Sequence, residues 1–342
     1  MPRDAPSPAG TSTAAENRPI LSVSGLRVGF PTRSGVALAV DNVGLTLDEG
    51  EVLGLVGESG SGKSVTCRAL IGMVAHPGSM LGGRIEYAGR DVSAMTRAEL
   101  LDMRAHEIAM VFQDSSSSLN PVFTVGHQLA EVLRVNHGMS RAAARTRCIE
   151  LLDRVGIPAP EARLKVHPHE MSGGMRQRVM IAMAIAGSPR LLIADEPTTA
   201  LDVTIQDQVL RLLAELRRET NMAIILVSHD MGVIAQMADR VAVMYAGRIV
   251  EVAPVETIFR SPDHPYTRAL IEQIPQLMPD TRGELRTIPG QPPDLLDLPP
   301  GCPFAPRCPS AREACAGVTM ELTPVSAGQL SACPFAREQS PT

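Results

Sequence analysis

The segment GESGSGKS, Gly57 to Ser64, constrains this chain more than any other. It follows VLGLV, Val52 to Val56, an apolar run of buried-strand length. It opens a stretch that reads as a helix from Lys63 to about Met73. A strand, a glycine loop ending in Lys-Ser and a helix together make a phosphate cradle. The glycines let backbone N–H groups turn inward on phosphate oxygens, and the helix N-terminus adds partial positive charge. Gly57, Ser59, Gly60, Ser61 and Gly62 then wrap a nucleoside triphosphate. Lys63 reaches its β- and γ-phosphates, and the Ser64 hydroxyl binds Mg²⁺. Such a loop needs an α/β sheet to hold it.

The remaining sequence supplies that sheet. Short strands are expected between Ile20 and Leu47, and EIAMVFQ, RLLIADEP and NMAIILVSHD read as further strands. Between them lie helical patterns. TRAELLDMRA is capped by Thr96 with Glu99 three residues on, residues 124–156 read as helical throughout, and TIQDQVLRLLAELRRET is amphipathic. Strands alternating with helices predict a mostly parallel sheet. Beyond Pro254 the chain turns proline-rich and irregular, which marks a boundary to a C-terminal region. With 342 residues, 44% of them hydrophobic and 3% aromatic, a large aliphatic core can be buried.

Composition also excludes functions. The net charge is −5 and no block of five or six consecutive basic residues occurs, which disfavours a nucleic-acid partner. No apolar run reaches membrane-span length. Residues 1–18 lack an apolar signal core and read as a disordered tail. The expected compartment is the cytosol, where thiols stay reduced.

Two further segments complete a catalytic set. LLIADEP places Asp195 and Glu196 at the end of a buried strand, the edge where α/β sheets bind ligands. Asp195 fits an Mg²⁺-holding acid, and Glu196 a general base for the attacking water. MSGGMRQ places Ser172, Gly173 and Gly174 at a helix start, a second anion site. Two phosphate sites on one chain suggest two chains facing each other with ATP between them.

On these motifs the chain resembles the nucleotide-binding subunit of an ABC transporter. Met171 and Met175 stand where that family's LSGGQ signature has Leu and Gln. The resemblance implies that Gln113 senses Mg²⁺ or water and couples to membrane subunits. It implies that Asp202, in the ALD run, crosses the dimer and that His229 contacts the γ-phosphate. Phe30 is the candidate for the aromatic that stacks on adenine. The implied fold is a P-loop NTPase domain over residues 19–254. It has a mixed sheet core, an antiparallel β subdomain and a helical subdomain at about 114–170. A Cys-rich accessory region follows over 255–342.

SLNPVFTVGHQLAEVL, SPDHPYTRALIEQIP and the tail IPGQPPDLL with GCPFAPRCPSAREAC are similar to the oligopeptide/dipeptide/nickel branch of ABC importers. The segment DSSSSLNP departs from that branch's proline-containing pattern. The branch implies an ATPase driving peptide import, or import of nickel or another small solute. It works at the cytoplasmic face of the membrane through two permease subunits. An identical or paralogous ATP-binding subunit and an extracytoplasmic solute-binding protein complete the assembly. The rival class is a soluble ABC ATPase acting on DNA or ribosomes. It is disfavoured by the single motif set and by the absence of sustained heptads between Ser64 and Ser172.

Four of the six cysteines, Cys302, Cys308, Cys315 and Cys333, fall in the tail. They lack the paired C-x2-C knuckles of a zinc ribbon. Four thiolates on a loop-rich segment can hold a 4Fe-4S cluster, which some branch members carry there. Zinc and a reduced, unliganded tail remain the alternatives. Cys67 and Cys148 read as buried core residues.

Overall fold

The computed structural model describes residues 18–113, 118–199, 201–274 and 287–336. Most of the N-terminal tail, the serines at 115–117 and Ala200 of the ALD run lie outside the described residues.

Among the described residues, twelve strands form two sheets. β1 (Leu21–Thr32), β2 (Gly35–Leu47), β4 (Ser79–Tyr87) and β5 (Arg90–Asp91) make an antiparallel sheet in the order β2-β1-β4-β5. The short strands expected between Ile20 and Leu47 are in fact one long hairpin. Register shifts along β1 bend it without breaking it.

The second sheet holds β3 (Val52–Val56), β6 (Ile108–Val111), β7 (Leu191–Asp195), β8 (Ala223–Ser228), β9 (Arg240–Tyr245), β10 (Arg248–Pro254), β11 (Thr323–Ser326) and β12 (Gln329–Ser331). Their order is β11-β12-β10-β9-β3-β8-β7-β6. The five strands from β9 to β6 run parallel, and β10, β12 and β11 join by antiparallel pairing. This is a mixed sheet beside an antiparallel subdomain.

The central strands are buried on both faces, so they read as unbroken apolar runs. Their side chains still alternate. Val52, Val56, Leu192, Ala194, Ile224 and Leu226 enter one core, and Leu53, Leu55, Leu191, Ile193, Ile225 and Val227 the other.

Among the described residues, ten helices connect and cover the strands: α1 (Lys63–Leu70), α2 (Arg97–His106), α3 (Val125–His137), α4 (Arg141–Arg154), α5 (Pro160–Arg163), α6 (Gly173–Ile185), α7 (Val203–Thr220), α8 (Met231–Met237), α9 (Val255–Arg260) and α10 (Pro265–Ile271). The capping box predicted at Thr96 and Glu99 is present on α2. Helix α1 stops short of Met73 because Gly72 turns left-handed at φ +63°. The continuous helix expected over 124–156 is two helices. Gly138 ends α3 in the left-handed region, and the Ser140 side chain accepts from Ala143 N–H to start α4. Helices α3 and α4 pack on each other and on α6, sharing the first core through Leu129, Leu133, Cys148, Leu151 and Val179.

Candidate active site

Parallel pairing decides where the site lies. Val56 pairs with Ser228, Asp195 with Val227 and Val111 with Ala194. The residues just past these strand ends therefore share one edge of the sheet. They are Gly57, Glu196, His229 and Gln113.

The loop after β3 turns where only glycine fits. Gly57 has φ +150°, and a Cβ there would lie 2.1 Å from the Met244 carbonyl oxygen. Gly62 has φ +105°, and its Cβ would lie 2.3 Å from the Ala39 carbonyl oxygen. Lys63 is buried and folds back over the loop. Its Nζ donates to the carbonyls of Gly57 at 2.7 Å and Glu58 at 2.9 Å, and to Ser61 Oγ at 3.4 Å. Burial pulls the Lys63 pKa down, and the nearby Glu196 and Asp195 carboxylates oppose that shift.

Ser64 Oγ donates to Asp195 Oδ1 at 3.0 Å. Asp195 is 1% exposed. Burial raises its pKa and the Ser64 hydrogen bond lowers it. Glu196 turns the chain off the line of β7 with φ +49°, a left-handed conformation that is costly for a side-chain-bearing residue. Its N–H donates to the Val227 carbonyl at 3.0 Å, which holds the turn. Three side chains converge on its carboxylate. Gln113 Nε2 donates at 2.9 Å, Thr199 Oγ1 donates at 2.8 Å, and His229 Nδ1 lies 3.3 Å away.

Lys63, Ser64, Asp195, Glu196, Gln113 and His229 are thus gathered at one edge. Ser172 instead caps α6, accepting from Met175 N–H at 3.3 Å. Gly174 packs on Ile205, so that a Cβ would meet its Cγ2 at 2.5 Å. Asp202 caps α7 by accepting from Ile205 N–H at 3.0 Å. The helix starts of α6 and α7 therefore abut each other. No hydrogen bond or ion pair among the described residues ties Ser172 to the edge cluster. Phe30 lies within β1, half-buried, with its ring against Gly78.

All six cysteines are free thiols. Cys302, Cys308, Cys315 and Cys333 line one small cavity with His264, Phe304 and Val318. Burial pushes the Cys302 thiol up to about 11 and raises Cys308 and Cys333 in the same direction. Among the described residues, no three His, Cys, Asp or Glu side chains are drawn together tightly enough to hold a metal ion. The thiols surround a space without closing on a point. Cys67 and Cys148 are buried in the core.

The contacts of two acidic residues, Glu58 and Glu251, escaped sequence reasoning. Arg307 of the tail pairs with Glu58 of the phosphate loop, and Tyr266 Oη accepts from Glu58 N–H at 2.8 Å. Glu251, fully buried on β10, accepts from Asp263 N–H, His264 N–H and Gln329 Nε2 at 2.8–2.9 Å. The signals were the HPYT run at His264–Thr267 and an acid inside an apolar strand.

Comparison with known proteins places these features. The family model described as ABC transporter matches residues 40–199. The one described as Oligopeptide/dipeptide transporter, C-terminal region, matches residues 250–315. The chain is 51% identical to the oligopeptide transport ATP-binding protein OppD of Salmonella typhimurium, covering 92% of this chain and 93% of that one. It is 45% identical to the dipeptide transport ATP-binding protein DppD of Escherichia coli, covering 92% and 96%. Among solved structures it is similar to the dimeric ATP-binding cassette MJ0796 bound to ADP and Pi. That likeness has TM-score 0.61 and 26% identity over 69% of this chain and 98% of that one. A second is cbiO1 of Clostridium perfringens, with TM-score 0.61 and 27% identity over 76% and 97%. With that edge cluster, this sheet order and half its residues shared with OppD, the chain belongs to the family of ABC transporter ATP-binding subunits, in its oligopeptide/dipeptide branch.

Proposed function

We infer that this chain is the ATP-hydrolysing subunit that energises import of oligopeptides or dipeptides. The observation that carries the reading is Glu196 at the sheet edge, held by Gln113, Thr199 and His229 beside the Lys63–Ser64–Asp195 group. In this reading Lys63 leaves the Gly57 and Glu58 carbonyls for the β- and γ-phosphates. Ser64 and Asp195, with Gln113 nearby, are the residues to hold Mg²⁺, which neutralises phosphate charge when bound. Glu196 orients the attacking water and takes its proton, and His229 and Gln113 fix the carboxylate.

The second phosphate site supports a head-to-tail dimer. Ser172, Gly173 and Gly174 of one chain would face the phosphate loop of its partner, with Asp202 crossing between them. MJ0796 is dimeric in its solved form. Phe30 is the proposed adenine platform. No helix among the described residues is long and apolar enough to cross a membrane. Association with the cytoplasmic face is therefore proposed to run through two permease subunits, fed by a solute-binding protein. A cavity of about 300 Å³ between β6 and α6, lined by Met73, Arg104, Phe112, Val132 and Met180, is the surface offered to them.

The four tail cysteines are proposed to ligate a 4Fe-4S cluster. Four thiols around a cavity suit a polynuclear group, whereas one zinc ion needs four sulfurs drawn onto a point. Iron and acid-labile sulfide in chain purified without air would support this. Zinc in their place, or no metal even after reconstitution, would refute it.

The ATPase reading is tested with Glu196→Gln. Steady ATP turnover should fall at least about 100-fold while MgATP binding persists. Undiminished turnover would sink the base assignment.

A further inference from the structure

The C-terminal region grips the phosphate loop at Glu58. Glu58 is the first residue of that loop after Gly57, and Arg307 is 249 positions away. Arg307 Nη1 donates to Glu58 Oε2 at 2.6 Å, and Nη2 donates to Oε1 at 2.9 Å. That is a two-pronged pair of the geometry only a guanidinium provides. Arg307 is 7% exposed and otherwise fully engaged. Its Nε donates to the Pro289 carbonyl at 2.8 Å, and Nη1 also reaches Tyr245 Oη at 3.3 Å. The guanidinium lies over the Tyr245 ring, 5.9 Å from its centroid, and Tyr245, Tyr266 and Phe304 pack tilted or edge-on to one another with centroids 4.5–5.3 Å apart.

Every polar group of Glu58 is thereby fixed. Its carboxylate is held by Arg307, its N–H by Tyr266, and its carbonyl by Lys63. Two of these three anchors come from beyond Pro254. The loop must open its N–H groups to a highly charged triphosphate while carrying a carboxylate of its own. Left unpaired, that carboxylate would repel the phosphates and would be free to compete for Lys63. Paired with Arg307 it does neither.

We propose that Arg307 and Tyr266 are positioning residues for nucleotide binding, clamping and neutralising Glu58 so that the loop holds its ATP-receptive shape. The inference rests on the ATP reading of the loop. It adds that the tail is part of the nucleotide site.

The test is MgATP affinity of the full-length chain, read with a fluorescent nucleotide, and KM against kcat in the assembled transporter. Arg307→Met should weaken MgATP binding about tenfold, with the loss falling in KM rather than in kcat. Adding Glu58→Gln should recover most of that loss, because it removes the charge that Arg307 neutralises. Arg307→Lys keeps the charge and loses the fork, so it should weaken binding about threefold. It also keeps the test alive should Arg307→Met not fold. Additive effects of Arg307→Met and Glu58→Gln, or binding by both Arg307 variants within twofold of the parent, would overturn the clamp. A parent chain that binds no MgATP would overturn the ATP reading and the clamp with it.

Discussion

Ser64 and Asp195, 131 positions apart, meet through a 3.0 Å hydrogen bond. The bond joins the first turn of α1 to the end of β7, across β8, which lies between β3 and β7 in the sheet. It holds two oxygens side by side at the proposed cation position.

Ser64→Ala removes one of those oxygens and leaves Asp195 buried with one partner fewer. The concentration of Mg²⁺ needed for half-maximal ATP turnover should rise about tenfold, as expected for losing one charge-assisted contact. A titration of turnover with Mg²⁺ at fixed ATP measures it. An unchanged half-saturation point would remove Ser64 from the cation's shell.

Gly174 sits where α6 meets α7. Gly174→Ala would drive a methyl to 2.5 Å from Ile205 Cγ2, on a β-branched side chain with little freedom to move. The expected cost is about 1–3 kcal/mol of unfolding free energy, read by chemical denaturation. Gly173→Ala has only Leu201 at 3.7 Å and Arg176 to meet, and should cost far less.

Glu251 anchors the HPYT segment from inside β10. Glu251→Ala would strand two backbone N–H groups and the Gln329 amide in a dry interior. The expected loss is about 3–5 kcal/mol, visible as a lowered melting temperature. Glu251→Gln keeps one acceptor oxygen and should lose less.

His264 gives a pH signature. It is 1% exposed, and burial pushes its imidazole from 6.5 down to about 3. Between those values the unfolded chain takes up a proton that the folded chain refuses. Its contribution to stability is therefore complete above pH 6.5 and is lost as pH falls. At pH 5 the loss amounts to about 2 kcal/mol. His264 Nδ1 also caps α10 by accepting from Tyr266 N–H at 3.1 Å. Asparagine caps equally well and does not titrate. Melting curves from pH 7.5 to 5 should therefore fall more steeply for the parent than for His264→Asn. Parallel curves would show that His264 does not control the acid limb.

Local chemistry made much of this molecule legible. The strand, loop and helix around Gly57–Ser64 lie within one short stretch, and each strand end at the site carries its polar residue immediately after an apolar run. Chain order alone then places Gln113, Glu196 and His229 on one edge, because parallel strands end together. What remained hidden depends on long separations or on weak local signals. Nothing near Arg307 announces Glu58. The break at Gly138 hides within two helical patterns of matching period, and a single glycine does not by itself end a helix. The β11–β12 hairpin was unreadable because Pro324 argues against a strand. Pro324 is tolerated there because β11 lies at the edge of the sheet.

The pairing of β12 with β10 bears on what the open edge of the sheet can join. Glu251 and Val252 take Ser331 and Leu330 as partners, and β11 then closes the outer side as a short strand carrying a proline. Such a strand is a poor template for a further chain. A version of the protein shortened at Pro254 would bare the β10 edge, a row of unpaired amides on an apolar strand, and invite stacking of one copy on the next. The β11–β12 hairpin thus also guards this edge of the sheet against stacking of one copy on the next.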